Sequence, residues 1–256
     1  MKIFFNCLVH RDNDIVEDMI HNIKKFTKNP IICIHVSKVF EDFNFEKFSK
    51  LENVYINSER FHTYKGGTFM HPLCSNINYI SNILKLEYDY HMIFYSQMLF
   101  IKNGVEDYLK DADGFISLHE YHWESTPVIE NSSIKFPKGV VKNLVEGVTC
   151  SRNVALKSYN FIIEDNNLLN NRGWVPEEVI FPSCILKFSN KIKNYPTNSH
   201  KNNFQSLDEI KKLLNKEIDF IPHVYFNNQP ENEIFIIHRV DYDYDNTIRK
   251  YIRELV

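Results

Sequence analysis

Apolar runs and amphipathic stretches alternate along the first part of this chain. Continuous apolar runs over residues 2–9 and 31–36 predict strands that are buried on both faces. Between them, apolar residues recur at helical spacing after a candidate helix cap at Asp12 or Asn13. A strand, a helix and a second strand in this order predict a right-handed crossover and a parallel strand pair.

The same two patterns continue to the C-terminus. Further strands are predicted at residues 53–56, 89–95, 114–118, 222–226 and 234–237. Further helices are predicted at residues 71–86 and 105–109, from about residue 152, from residue 176, from residue 206 and near the C-terminus. Residues 125–145, 166–171 and 192–203 are polar or irregular and predict loops. No repeat or linker interrupts the alternation, so we predict one α/β domain over residues 1–256 with a mixed, mostly parallel sheet flanked by helices.

The helix from residue 176 carries two adjacent carboxylates. Pro176 suits the first helical position, and Glu177 and Glu178 then fall in the first turn, where the helix dipole favours negative charge. Apolar residues follow at helical spacing and predict one buried side. The carboxylate pair has two interpretations. Either the two residues only stabilise the start of the helix through its dipole, or one of them is a general base at the mouth of a cleft.

Polar residues follow the first two predicted strands, where parallel sheets bind ligands. His10 and Arg11 come after the first strand, and Ser37 and Lys38 after the second. The chain contains neither G-x-G-x-x-G nor G-x-x-x-x-G-K-S/T, which argues against a dinucleotide fingerprint and a P-loop.

Two other segments are candidates for ligand contact. Gly66 and Gly67 beside Lys65 form either a simple turn or a close approach to a phosphate or sugar. In residues 119–124 (HEYHWE), two histidines and two glutamates could bind a metal, but helical support is poor. A substrate-facing loop is favoured there, since Trp123 can stack on a sugar ring while Glu124 accepts its hydroxyls.

Composition excludes several classes of protein. The net charge of −3 provides no basic field for nucleic acid. The five cysteines lack the paired spacing of metal sites and lie mostly in apolar runs, which predicts buried thiols in a reducing compartment. No run approaches the roughly 20 apolar residues of a membrane span, and no signal peptide is evident. The aromatic content of 14% hints at a carbohydrate ligand without identifying one.

Seven segments, in order along nearly the whole chain, resemble the core-2/I-branching glycosyltransferase family, which includes the protein xylosyltransferases. The segments are residues 8–11 (LVHR), 34–37 (IHVS), 64–67 (YKGG), 88–96 (YDYHMIFYS), 147–161, 175–178 (VPEE) and 236–239 (IIHR). The chain departs from the family at Ser37, where the family has Asp, and after Ser96, where its Asp and Pro are missing.

The resemblance implies a GT-A-like fold and an inverting transfer that needs no bound metal and no cofactor. Glu178 matches the family's catalytic base, and this match is why we favour it over Glu177; Arg239 matches the residue that contacts the diphosphate. The implied nucleotide-sugar contacts are His10, Arg11, Ser37, Lys65, Gly66, Gly67, Ser96, His238 and Arg239. The acceptor contacts that we predict are Trp123, Glu124, Trp174 and Glu177.

The expected partners are a nucleotide-sugar donor, most simply a UDP-sugar, and a glycan or lipid-linked glycan acceptor, as in surface polysaccharide or lipooligosaccharide synthesis. Residues 1–120 would bind the donor, and residues 121–256 would supply the acceptor and catalytic half. We expect a cytoplasmic, bacterial-type enzyme, with peripheral contact at the inner membrane as a further hypothesis. The alternatives are a metal-dependent GT-A transferase that uses Asp111 and Asp113, and a non-catalytic carbohydrate-binding protein.

Overall fold

The computed structural model describes residues 1–63, 69–116, 136, 140–141, 143–170, 176–199, 206–215 and 233–255. The strands are β1 (Ile3–Val9), β2 (Pro30–Val36), β3 (Val54–Asn57), β4 (Tyr90–Tyr95), β5 (Met98–Phe100), β6 (Gly114–Phe115), β7 (Thr149–Ser151), β8 (Ile192–Lys193), β9 (Thr197–Ser199) and β10 (Ile236–His238). The helices are α1 (Asn13–Phe26), α2 (Phe45–Ser49), α3 (Met70–Asn78), α4 (Val105–Leu109), α5 (Arg152–Glu164), α6 (Asn166–Leu169), α7 (Glu177–Phe188), α8 (Leu207–Leu214) and α9 (Thr247–Glu254). A π-helical turn over Tyr79–Ile83 continues α3.

A seven-stranded mixed sheet in the order β3-β2-β1-β4-β7-β6-β8 forms the centre of the fold. Strands β1 to β4 are parallel, β7 runs antiparallel to both of its neighbours, and β8 is parallel to β6. The predicted α/β class with a mostly parallel sheet flanked by helices is therefore confirmed. Strands from both halves of the sequence share this sheet.

Strand β1 shows why the apolar runs are continuous. Its alternate residues enter two different apolar clusters, one on each face of the sheet. Ile3, Phe5 and Val9 belong to one cluster, whereas Phe4 and Leu8 belong to the other. A strand buried on both faces needs apolar side chains at successive positions, as the sequence predicts.

Helix α1 follows β1 and has the predicted cap. The Asp12 carboxylate accepts hydrogen bonds from the backbone N–H groups of Asp14 and Ile15, at 3.1 and 3.2 Å. These bonds satisfy two of the donors that a helix start leaves unpaired. The apolar stripe that includes Ile15 and Met19 is fully buried, so packing against the sheet adds to the cap.

A second sheet of three strands, β5-β10-β9, lies beside the end of β4. Strand β10 pairs antiparallel with β5 and parallel with β9. Just beyond β10, the Val240 N–H donates to the Gln97 carbonyl at 2.9 Å. The chain that leaves β10 is thereby held against the turn that joins β4 to β5.

Several short elements were missed in the sequence. The predicted loop over residues 192–203 contains β8 and β9, the polar turn near residue 166 is helix α6, and β7 precedes helix α5 where only a lead-in was expected. Strands of two or three residues are too short to show an alternation, and their neighbours in the sheet determine them. The predicted strand at residues 222–226 lies outside the described residues.

The five cysteines are buried and free, as predicted. Among the residues that the structure describes, every helix is too short or too polar to cross a bilayer.

Gly147 is required where the second sheet meets β4. Its φ is +86°, and a Cβ there would lie 1.7 Å from Thr197 Oγ1. We expect Gly147→Ala to lower the free energy of unfolding by about 2 kcal/mol or more, because strain and overlap add. Gly104, at φ +102° with its nearest neighbour at 3.5 Å, is the matched control for strain alone. Equal losses for the two variants in urea unfolding would contradict this explanation.

Candidate functional site

The seven-stranded sheet has a topological switch point between β1 and β4. Strand β1 pairs with β2 on one side and with β4 on the other, so the connections that leave their carboxyl ends run in opposite directions. A crevice forms at such a point, and open α/β sheets bind ligands there. His10 and Arg11 follow β1, and Ser96 follows β4. The structure therefore places three predicted contact residues at the expected edge.

Tyr242, which the sequence analysis did not single out, joins these residues. The Arg11 guanidinium lies 3.8 Å from the centroid of the Tyr242 ring, and the His10 ring lies 5.4 Å from it. Ser96 Oγ donates to the Tyr242 hydroxyl at 3.3 Å. Ser96 itself is buried, so in this structure it positions Tyr242. Arg11 is exposed and remains open to an anion.

Arg249 holds the backbone of this region in place. Its side chain is fully buried, and it donates to the carbonyl oxygens of Ser96 and Asp241 at 2.9 and 2.7 Å. Its charge is compensated by Asp18, whose carboxylate lies 2.6 Å from Arg249 Nη1 and 3.0 Å from Arg253 Nη1. This buried ion-pair network connects α1, the end of β4 and α9.

Three glutamates lie near the end of β4. Glu177 and Glu178 are in the first turn of α7, as predicted, with Glu177 only 3% exposed and Glu178 half-buried. Glu146, which the sequence analysis missed, precedes Gly147. The pKa of the Tyr95 hydroxyl is raised well above its usual value. Burial is the largest cause, and the negative charges of Glu146, Glu177 and Glu178 add to it. The charges of the three carboxylates therefore act on one hydroxyl.

The end of β10 brings a histidine and a cation to the same place. His238 is buried, and its Nε2 lies 3.8 Å from Glu146 Oε1, which is too long for a hydrogen bond. Burial and then the Arg239 charge lower the pKa of His238 to about 3. Burial raises the pKa of Glu146, and Arg239 opposes that shift. Arg239 is exposed. The site thus has carboxylates and an accessible guanidinium within electrostatic reach of each other.

Ser37, a predicted contact of the nucleotide sugar, supports a neighbouring loop in this structure. It is fully buried, and its Oγ accepts a hydrogen bond from the Thr63 N–H at 3.1 Å. The hydroxyl thereby supports the loop after β3. The remaining predicted contacts lie outside the described residues; they are Lys65, Gly66, Gly67, Trp123, Glu124 and Trp174.

The carboxylates of the metal-dependent alternative are engaged in other contacts. Asp113 accepts hydrogen bonds from the backbone N–H groups of Asn190 and Lys191, at 3.0 and 2.8 Å. Asp111 pairs with Lys193 at 3.2 Å. In the part of the chain that the structure describes, no group of three or more His, Cys, Asp or Glu side chains is arranged to hold a metal ion.

Comparison of the chain with protein-family models and with curated protein sequences found no match.

Buried histidines predict that the protein loses stability in acid. The pKa of His35 is lowered to about 4, mainly by burial. Burial also lowers the pKa of His91 to about 3. His35 Nε2 accepts a hydrogen bond from the Phe61 N–H at 2.9 Å, so protonation also breaks a contact. Each such pKa is lower in the folded than in the unfolded protein, so the unfolded chain binds more protons below about pH 6.5. The free energy of unfolding should thus fall from pH 6.5 towards pH 4, by up to about 1.4 kcal/mol per pH unit for each histidine.

Denaturant unfolding at a series of pH values measures this slope. The raised pKa of Glu146 acts in the opposite direction and reduces the slope. His91→Gln should make the slope shallower, whereas the control His21→Gln, at an exposed position, should not. A free energy that stays constant between pH 7 and pH 5 would contradict the prediction.

Proposed function

We propose that this protein is an inverting, metal-independent glycosyltransferase that moves a sugar from a nucleotide-sugar donor to a hydroxyl of a glycan acceptor. The main support for the proposal is that the ends of β1, β4 and β10 carry both carboxylates and exposed guanidinium groups. Glu178 and Glu146 lie near the end of β4, while Arg239 and Arg11 follow β10 and β1. Transfer from a nucleotide sugar needs a base for the acceptor and positive charge for the leaving group.

A GT-A-like division of the sheet is part of the proposal. The parallel strands β3-β2-β1-β4 end at the edge where a nucleotide would bind. The mixed strands β7-β6-β8 continue the sheet towards α7, which carries Glu178. The donor would occupy the crevice at the switch point, and the acceptor would approach from the side of α7.

Glu178 is the general base in this mechanism. It takes the proton of the acceptor hydroxyl as that oxygen attacks the anomeric carbon of the donor. The bond from the anomeric carbon to the phosphate oxygen breaks, and the nucleoside diphosphate leaves with the electron pair. Because attack and departure are on opposite faces, the anomeric configuration inverts. Half-buried Glu178 is better placed to reach an acceptor than Glu177, which is almost fully buried.

Cationic side chains replace a metal at the leaving group in this mechanism. Arg239 is exposed just after β10 and would contact the diphosphate together with Arg11, which is exposed after β1. Arg11 currently lies over Tyr242, a contact that an incoming phosphate can replace. The Asp111 and Asp113 contacts described above leave these carboxylates engaged, which supports the metal-independent form of the proposal over its metal-dependent alternative.

A thermal-shift screen of nucleotide sugars and nucleoside diphosphates, in EDTA and in Mn²⁺, tests the proposal. A ligand that binds the folded state raises the melting temperature. We expect one family of nucleotides to raise it in EDTA. A shift that requires Mn²⁺ would contradict the metal-independent form, and no shift with any nucleotide would favour the non-catalytic alternative. The acceptor, a surface glycan or a lipid-linked glycan, would then be sought with the identified donor.

A further inference from the structure

Three buried polar atoms around the ends of β4 and β10 lack hydrogen-bond partners within the described ranges. They are the Tyr95 hydroxyl, Glu146 Oε2 and His238 Nδ1. Buried polar groups in folded proteins are almost always paired with protein or with ordered water. An unpaired group at one position is an isolated exception. Three unpaired groups on three different segments indicate a place where a polar partner binds.

The three groups belong to one cluster. Tyr95 is the last residue of β4, His238 is the last residue of β10, and Glu146 precedes the Gly147 turn between them. Glu146 Oε1 lies 3.8 Å from His238 Nε2, and the Glu146 charge acts on the Tyr95 hydroxyl. The Gly147 N–H donates to the Ile93 carbonyl at 2.9 Å, which fixes Glu146 beside β4. The backbone thus holds these side chains in place before any ligand binds.

Charges from both ends of the proposed reaction act on this cluster. Arg239, the proposed diphosphate contact, is close enough for its charge to act on Glu146. Glu178, the proposed base, acts on the same Tyr95 hydroxyl as Glu146. In the transfer reaction, the sugar that changes partners must lie between the diphosphate and the base. Its ring hydroxyls would then meet the unpaired groups.

We propose that Tyr95, Glu146 and His238 form a hydroxyl-binding subsite for the transferred sugar of the donor. This inference rests on the proposed function. A tyrosine hydroxyl and a carboxyl group can each donate to or accept from a sugar hydroxyl, so the subsite suits a ring that carries several. A site built to hydrogen-bond a hydroxyl rejects strongly an analogue that lacks it. The cluster would therefore determine which donor sugar the enzyme accepts.

Tyr95→Phe tests the subsite with the smallest change. Because the hydroxyl has no partner within the described ranges, its removal should not lower the melting temperature of the free protein. Calorimetry would measure the dissociation constants of the donor identified in the screen and of its nucleoside diphosphate. The dissociation constant of the nucleoside diphosphate divided by that of the donor reports the contribution of the sugar. We expect Tyr95→Phe to reduce this ratio by about tenfold and to leave the affinity for the nucleoside diphosphate unchanged.

Glu146→Ala should reduce the same ratio, and Tyr251→Phe on α9 is the matched control that should not. A ratio unchanged in both Tyr95→Phe and Glu146→Ala would overturn the inference and leave the cluster as a site for water. In that case intact nucleotide binding and sugar transfer would preserve the proposed function. Failure of the wild-type protein to bind any nucleotide would overturn both.

Discussion

Replacement of Glu178 by Gln is expected to lower the rate of sugar transfer by about 10²–10⁴-fold and to leave the affinity for the donor nearly unchanged. The amide has the size of the carboxylate but cannot take the acceptor proton. Glu178 is half-buried in the first turn of α7, so the substitution removes no core packing. Initial rates of nucleoside diphosphate release measure transfer, and calorimetry measures donor binding.

Two other glutamates provide the controls for this variant. Glu164→Gln changes an exposed residue at the end of α5 and should leave the rate unchanged. Glu177→Gln should reduce the rate less than Glu178→Gln does, because Glu177 is almost fully buried. A Glu178→Gln protein with wild-type rates would exclude this residue as the base. A larger loss in Glu177→Gln would transfer the role to Glu177.

Replacement of Asp18 by Ala is expected to lower the free energy of unfolding by about 3–5 kcal/mol. The substitution removes the only carboxylate that contacts Arg249 among the described residues, and it leaves a fully buried guanidinium without its counter-charge. It also removes the second contact, to Arg253 at 3.0 Å. Equilibrium unfolding in urea, monitored by two spectroscopic probes, measures the loss.

Asp245→Ala is the matched control for an exposed ion pair. Asp245 pairs with Lys250 at 2.9 Å, and both side chains are exposed, so its removal should have little effect. A similar small effect for Asp18→Ala would mean that the buried network contributes little. Arg249 also holds the Ser96 carbonyl, so a folded Asp18→Ala protein should bind nucleotide more weakly than the wild type.

The central part of the fold could be predicted because its signals are local. Strand β1 is apolar at every position except Asn6, and Asp12 begins α1 with a capping carboxylate. Strands β7, β8 and β9 could not be predicted in this way, because each has two or three residues. Their pairing depends on neighbours that are distant in sequence, as in the register of Tyr90 with Ser151.

The candidate site was partly predictable for a similar reason. His10, Arg11 and Ser96 were expected together because the carboxyl ends of parallel strands meet at one edge of a sheet. Tyr242 and Glu146 were missed because each lies outside the strands and helices, and only tertiary packing brings it to the site.

The burial of charged residues was also not predicted from the sequence. Arg249 looks like an ordinary solvent-facing residue of an amphipathic helix, yet it is fully buried against Asp18. Its position four residues before Arg253 places both guanidinium groups on one face of α9, and this spacing is the signal that could have indicated a shared carboxylate.

Proton NMR of donor turnover, with the nucleotide sugar identified in the screen, would show whether Glu178 supports an inverting transfer. The reaction would be followed in EDTA, with water or an added glycan as the acceptor, for the wild type and for Glu178→Gln. The account predicts that the wild type releases nucleoside diphosphate and that the first sugar product has the inverted anomeric configuration. Glu178→Gln should bind the donor without consuming it. A product of retained configuration, or a donor consumed equally by both proteins, would contradict the account.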